Sequence, residues 1–193
     1  MGLLDVILGR SKPKKANLDT LFDVPNAAMT LQVNGWKATG VGSVCYRAAE
    51  GNAFADAQAS VQELLNADDG PDVELSSDSF GFTWLTVRSD PAAGDFLTGL
   101  VTDLHAVNAT LADNGFDTML LCSLICFTGP DGRSMALVYL YKQGTYYPFI
   151  PKPGSGQSRD NMAELAVKGL IGADLPFEAD LGRWLAVWGA PGL

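Results

Sequence analysis

Two apolar runs separated by a polar turn dominate the hydrophobic pattern of this chain. Residues 119–127 are apolar on both faces except at Ser123, and Gly129-Pro130-Asp131-Gly132 supplies hairpin punctuation. Residues 135–141 and 146–150 follow, dense in the aromatic and branched side chains that suit a pleated surface. This hairpin is expected at the centre of a sheet. Upstream, residues 28–33 read as a strand, Asn34-Gly35 as a turn, and residues 40–48 as a second strand. Gly40 and Gly42 there imply a bulge or an edge. Asn52 can cap a helix reaching Ala67, with Phe54, Ala57, Val61, Leu64 and Leu65 inward. Residues 73–77 and 80–88 form a further hairpin pair.

A long helix over residues 92–114 follows, closed by Gly115 in a left-handed conformation, with Leu97, Leu100, Val101, Leu104 and Leu111 as its apolar stripe. Asn108 falls inside that stripe. Buried there, its amide needs partners, because an unpaired polar group costs about 1–3 kcal/mol, so it is expected to tie the helix to a loop or strand end. Residues 151–158 form a flexible connector, and residues 159–171 a third helix with Met162, Leu165, Ala166 and Leu170 inward. Strand-strand-helix thus occurs three times, without a shared residue pattern. The fold expected is α+β: two layers, an antiparallel sheet with three helices mainly on one face. The division expected is an N-terminal segment 1–15, one domain over 16–174, and a tail over 175–193 packed back on it. Trp184 and Trp188, one helical turn apart in that tail, otherwise form an exposed recognition segment, since paired tryptophans anchor interfaces.

Composition narrows the function classes. A chain of 193 residues, 47% hydrophobic and 18% charged, holds one core-forming domain. Its formal charge of -9 speaks against a nucleic-acid partner, because phosphates require a basic surface. Residues 1–15 run against this balance. Arg10, Lys12, Lys14 and Lys15 oppose only Asp5, a net +3 that leaves -12 for the remainder. Leu3, Leu4, Ile7 and Leu8 share one side of a short helix before these cations. One reading is a terminal helix docked on the domain; the other is a reversible interfacial anchor, aliphatic side chains in the lipid boundary and lysines on anionic headgroups. Three cysteines give no disulfide framework and suit a reducing cytoplasm. No run approaches the roughly 20 apolar residues of a membrane span, and the N-terminus lacks the charge order of a secretory signal. A cytoplasmic protein, peripheral at the inner membrane face under the anchor reading, is expected.

Catalytic signatures are sparse. His105 is the single histidine, at the border of an apolar helix stripe, where a structural role is the plainer reading. Gly40-Val41-Gly42-Ser43-Val44 lacks the last glycine of a nucleophile elbow, the lysine of a phosphate loop and the third glycine of a dinucleotide fingerprint. Cys122 and Cys126 share a strand face without third and fourth ligands nearby, and read as small buried hydrophobes. The acidic turn at residues 68–72 lacks the ligand spacing of a calcium loop. Neither metal nor cofactor is implied. Residues 139–149, with four tyrosines and Phe149, are the prominent candidate for a partner surface. Tyr146 and Tyr147, nearest the Gly144 break, are expected to be partly exposed. The leading hypothesis is therefore a protein-binding module that uses Tyr146, Tyr147, Phe149, Trp184 and Trp188. A ligand-sensing or enzymatic domain with a pocket near Cys45, His105 and Cys122 is the alternative, and a homodimer through an exposed strand edge is a third reading.

Several stretches together resemble one family across essentially the whole chain: MGLLDVILGRSKPKKANLD at the start, GVGSVCYR, VTDLHAVNATL, LLCSLICF, ALVYLYKQGTYYPF and the closing RWLAVWGAPGL. They resemble the actinobacterial PspAB family, associated with phage shock protein A. The resemblance implies an accessory protein of the envelope-stress response, with phage shock protein A or an HtpX-type membrane metalloprotease as partner. It carries over no catalytic or ligand residue. The order of elements from residue 52 to 171 is also similar to YbjN and type III secretion chaperone domains, an analogy of fold alone.

Overall fold

A computed structural model describes residues 16–67, 73–154 and 156–193. Leu3, Leu4, Ile7, Leu8, Lys12, Lys14 and Lys15, proposed for lipid contact, lie outside the described residues, as does the acidic turn at 68–72. Among the described residues six antiparallel strands form one sheet: β1 (Lys37–Tyr46), β2 (Glu74–Ser77), β3 (Thr83–Arg88), β4 (Leu120–Thr128), β5 (Ser134–Leu140) and β6 (Thr145–Phe149), in the order β2-β3-β1-β4-β5-β6. Four α-helices among the described residues accompany it: α1 (Val24–Val33), α2 (Asn52–Leu65), α3 (Phe96–Leu111) and α4 (Asn161–Ile171). The class is α+β, with one helix more than expected.

The extra helix is a correction. Residues 28–33, read as a strand, form the second half of α1. Val24, Ala27, Ala28 and Leu31 are its buried residues, at the i, i+3, i+4, i+7 spacing of a helix, and Pro25 occupies the first turn, where its missing N–H costs nothing. The strand-strand-helix repeat disappears with that change. Without a hairpin partner before it, β1 pairs with β3 and β4 and takes a central place. Its glycines mark a bulge, as expected, but not an edge: register slips between Ala38 and Gly42. Gly40 has φ +77°, and a Cβ there would lie 2.1 Å from the Ser89 carbonyl oxygen. A Cβ at Gly42 would lie 3.0 Å from Leu104 Cδ1, so the bare backbone lets α3 approach the sheet.

Along α3 the expectation holds: Leu100, Val101, Leu104 and Leu111 are buried, Leu97 packs against the core from its margin, and Gly115 turns the chain with φ +85°. Asn108 is buried, and its Nδ2 donates to the Leu104 carbonyl at 2.7 Å and to Ser123 Oγ at 2.8 Å. The tie reaches the interior of β4, not a loop or strand end. For α4 the phase differs from the hydrophobic reading. Val167, Ile171 and, unexpectedly, Glu164 are buried, while Met162, Leu165 and Leu170 are exposed. A carboxylate tolerates that place because Arg159 Nε donates to both its oxygens, at 2.9 and 3.0 Å, and the Ile150 amide donates at 2.9 Å.

Strands β1 and β3–β6 alternate between two cores. Helix-side packing gathers Leu21, Leu31, Val44, Leu85, Leu104, Ile125, Phe127 and Tyr139. Opposite lie Cys45, Trp84, Cys122, Leu124, Cys126, Val138, Tyr147 and Phe149, covered by Trp184 and Ala190 of the tail. The outer edge of β6 is also covered: the Tyr146 amide donates to the Pro176 carbonyl and the Glu178 amide to the Tyr146 carbonyl, each at 2.8 Å. At the other end of the sheet, all four residues of β2 are exposed.

Candidate functional site

A side chain in a strand shares its face with the residue directly opposite on the neighbouring strand. Trp84, Cys45, Cys122 and Leu140 are opposite one another across β3, β1, β4 and β5, so they form one row on the face away from the helices. That row, with Tyr147, floors a pocket of about 440 Å³. Its walls come from two separate segments. Phe80 and Phe82 stand on the turn between β2 and β3, and residues 185–188, ending in Trp188, come from the tail. Phe80 is 64% exposed and Leu185 63%, uncommon for large apolar side chains, and they belong to one pocket.

Both walls are held by polar anchors. Asp78 accepts hydrogen bonds from the indole N–H of Trp84 (3.0 Å) and from the amides of Phe80 (2.9 Å) and Phe82 (3.0 Å). Desolvation pulls the Asp78 pKa upward, but these bonds outweigh it and hold the carboxyl below its ordinary value. On the other side, the Tyr147 hydroxyl donates to the Leu185 carbonyl at 2.9 Å, and its ring stacks on Trp184 with centroids 5.9 Å apart. Trp184 in turn donates to the Glu178 carbonyl at 3.0 Å, and Trp188 meets Phe149 edge-on at 4.8 Å. The Arg47 guanidinium lies 5.6 Å from the Phe82 ring at the rim.

The aromatic segment behaves differently from its expectation. Tyr146, Tyr147 and Phe149 are all 1% exposed or less, so Tyr146 and Tyr147 are not partly exposed. Alternation sends Tyr146 to the helix side, where its hydroxyl donates to the Thr20 carbonyl at 2.9 Å, and Tyr147 to the pocket side. Both tyrosines spend their polar ends on backbone and their rings on packing. In the tail, a short 3-10 turn at Leu181–Arg183 gives way to irregular chain through Trp184 and Trp188. Trp184 is buried, whereas Trp188 is half-buried and lines the pocket. Of the five residues expected to meet a partner, Tyr147 and Trp188 thus border the pocket and Trp184 and Phe149 support it. Phe80 and Phe82 were not singled out; two aromatics flanking a glycine between two strands were the available signal.

Nor do Cys45, His105 and Cys122 converge. His105 sits on α3, on the helix side, with its ring 5.1 Å from Phe22, and the sheet separates it from the two cysteines. Their grouping failed because a helix border residue and a strand residue can be adjacent in pattern yet lie on opposite sides of a layer. The neighbouring Cys122 thiol, then burial, push the Cys45 thiol well above its usual range, and burial pushes Cys126 up to about 12. Burial likewise raises Tyr147. These groups are neutral at pH 7, so the floor is an uncharged surface. Among the described residues no three His, Cys, Asp or Glu side chains group as a metal site. No helix among them is long and apolar enough to cross a membrane.

A family model described as PspAB, PspA associated protein B, matches residues 1–192. Neither a curated protein nor a solved structure matches the chain.

Proposed function

Because the chain belongs to the PspAB family, we propose that it is a non-enzymatic interaction module of the bacterial envelope-stress response, which holds a segment of phage shock protein A in the pocket between Phe80 and Trp188. The observation that carries this reading is the pairing of exposed apolar walls, Phe80 and Leu185, with a rigid uncharged floor. Such a site gains affinity by taking up a large apolar side chain from a partner. Charge selects the rest of the segment. Residues 16–193 carry -12, so the partner stretch is basic around an aromatic or large aliphatic anchor. The protein then acts near the inner membrane face, with phage shock protein A or the basic residues 1–15 as the link.

Affinity capture with purified phage shock protein A tests this, with the HtpX-type protease as a second bait. Phe80→Ala and Trp188→Ala should each weaken capture of phage shock protein A, by about 30-fold if the residue is an anchor contributing about 2 kcal/mol. No capture by the unaltered protein, or capture indifferent to both substitutions, refutes the pocket reading. Capture of the protease alone would transfer the partnership to it. The membrane link is read separately, by pelleting with anionic vesicles: a chain beginning at Ala16 should pellet less than the full chain. Self-association through the exposed β2 edge would be seen on a sizing column without any bait.

A further inference from the structure

Two of the three cysteines stand directly opposite each other on the central strands, at the floor of the pocket. We propose that Cys45 and Cys122 are an oxidisable dithiol, a modification site that closes to a cross-strand disulfide when peroxide enters the pocket.

Strand geometry supports the bond. Residues directly opposite in an antiparallel pair have Cα atoms about 4.5 or 5.5 Å apart, and both spacings fall within the roughly 4.4–6.8 Å span of disulfides. The side chains share a face, and both line the same pocket. Access is equally specific. Both sulfur-bearing residues line the pocket, with Cys122 the more exposed at 8% against 3% for Cys45. Cys126 offers an internal contrast. It lies four residues along β4 from Cys122, about 13 Å at strand rise, beyond bridging reach. It is fully buried, and its Sγ donates to the Pro191 carbonyl at 3.4 Å.

The chemistry balances with hydrogen peroxide as oxidant. Cys122 Sγ attacks one peroxide oxygen, the O–O bond breaks, and one water leaves with Cys122 as sulfenic acid. Cys45 Sγ then attacks that sulfur; the S–S bond forms, the S–O bond breaks, and the hydroxyl leaves as a second water with the Cys45 proton. Two electrons pass from the thiols to the peroxide. A disulfide here pins β1 to β4 and reshapes the pocket floor, and a thiol reductant reverses it. In a reducing compartment such a bond is transient and signals oxidation.

The test uses the full chain and needs no partner. After a brief peroxide pulse the chain is denatured in a thiol-blocking reagent, and intact mass and peptide mapping follow. The expected product is a monomer that has lost two hydrogens, blocks one thiol instead of three, yields a peptide pair joining Cys45 and Cys122, and reverts with reductant. Cys126→Ala should form the same link. Cys45→Ala should form none, leaving Cys122 as a sulfenic acid that a dimedone probe captures; circular dichroism shows whether each variant is folded. Three free thiols after the pulse, or a link involving Cys126, overturns the proposal. Should Cys45→Ala misfold, the link in Cys126→Ala and in the unaltered chain still decides.

Discussion

The two tail tryptophans have different duties, and replacing each by alanine separates packing from recognition. Trp184 is 6% exposed, stacks on Tyr147, donates its indole N–H to the buried Glu178 carbonyl at 3.0 Å, and receives the Lys168 ammonium 5.7 Å from its ring. Truncating a buried tryptophan to alanine costs about 3–5 kcal/mol, and the orphaned carbonyl with the lost cation contact places Trp184→Ala toward the top of that range. Against a total stability of about 5–15 kcal/mol, that loss is a third or more. At about 2–4 °C per kcal/mol for a domain of this size, the melting temperature should fall by roughly 10–20 °C. Trp188 remains half-exposed and makes one edge contact with Phe149, so Trp188→Ala should cost about 1–2 kcal/mol. Urea denaturation followed by far-ultraviolet circular dichroism measures both without depending on indole fluorescence. The reasoning is refuted if Trp184→Ala stays within about 1 kcal/mol of the parent, or if Trp188→Ala proves the more costly.

Tyr147→Phe keeps the ring and deletes the hydroxyl that donates to the Leu185 carbonyl. It should cost about 1 kcal/mol and accelerate amide exchange over residues 185–190, whereas exchange in α3 stays unchanged. Asn108→Ala breaks the bonds to the Leu104 carbonyl and Ser123 Oγ and should destabilise by about 1–3 kcal/mol in the same urea assay. The Asp78 and Glu178 carboxyls titrate below their ordinary values; in both, desolvation opposes the shift, and the bonds they accept outweigh it. A lowered folded-state pKa gives stability that is complete above the unfolded values of about 3.9 and 4.3 and is lost as pH falls through the folded ones. Acid unfolding should therefore steepen below that range, and the Asp78→Asn/Glu178→Gln variant should be less stable at pH 7 with a flatter acid limb. Gly192→Ala would set a Cβ 2.8 Å from Cys126 Sγ at a backbone φ of +88°, and should loosen the last residues of the tail, read as faster exchange at residues 190–193.

Much of the fold was legible because local pattern and tertiary environment agree there. The hairpin of β4 and β5, the α2 and α3 helices, and the stop at Gly115 follow from periodicity and turn chemistry. Misreadings occurred where one residue type serves two patterns. The segment holding Ala28 and Leu31 has the apolar density of a strand, but its spacing from Val24 is helical, and reading it alone hid that register. In α4 the apolar spacing pointed Met162, Leu165, Ala166 and Leu170 inward and said nothing of Glu164, whose burial depends on Arg159 and the Ile150 amide. The site was less legible still. Tyr146 and Tyr147 looked alike in sequence, yet a pleat sends neighbours to opposite faces, and only Tyr147 reaches the pocket.

By itself the sequence determined the class of the fold, the acidic character of the body and the kinship with PspAB, since periodicity, charge and residue strings are carried along the chain. Tertiary structure alone decided that the tail covers the second sheet face, that Phe80 meets Trp188 across a pocket, and that Cys45 opposes Cys122. Those relations join segments tens of residues apart. Strand order and register set them, and no local pattern encodes either.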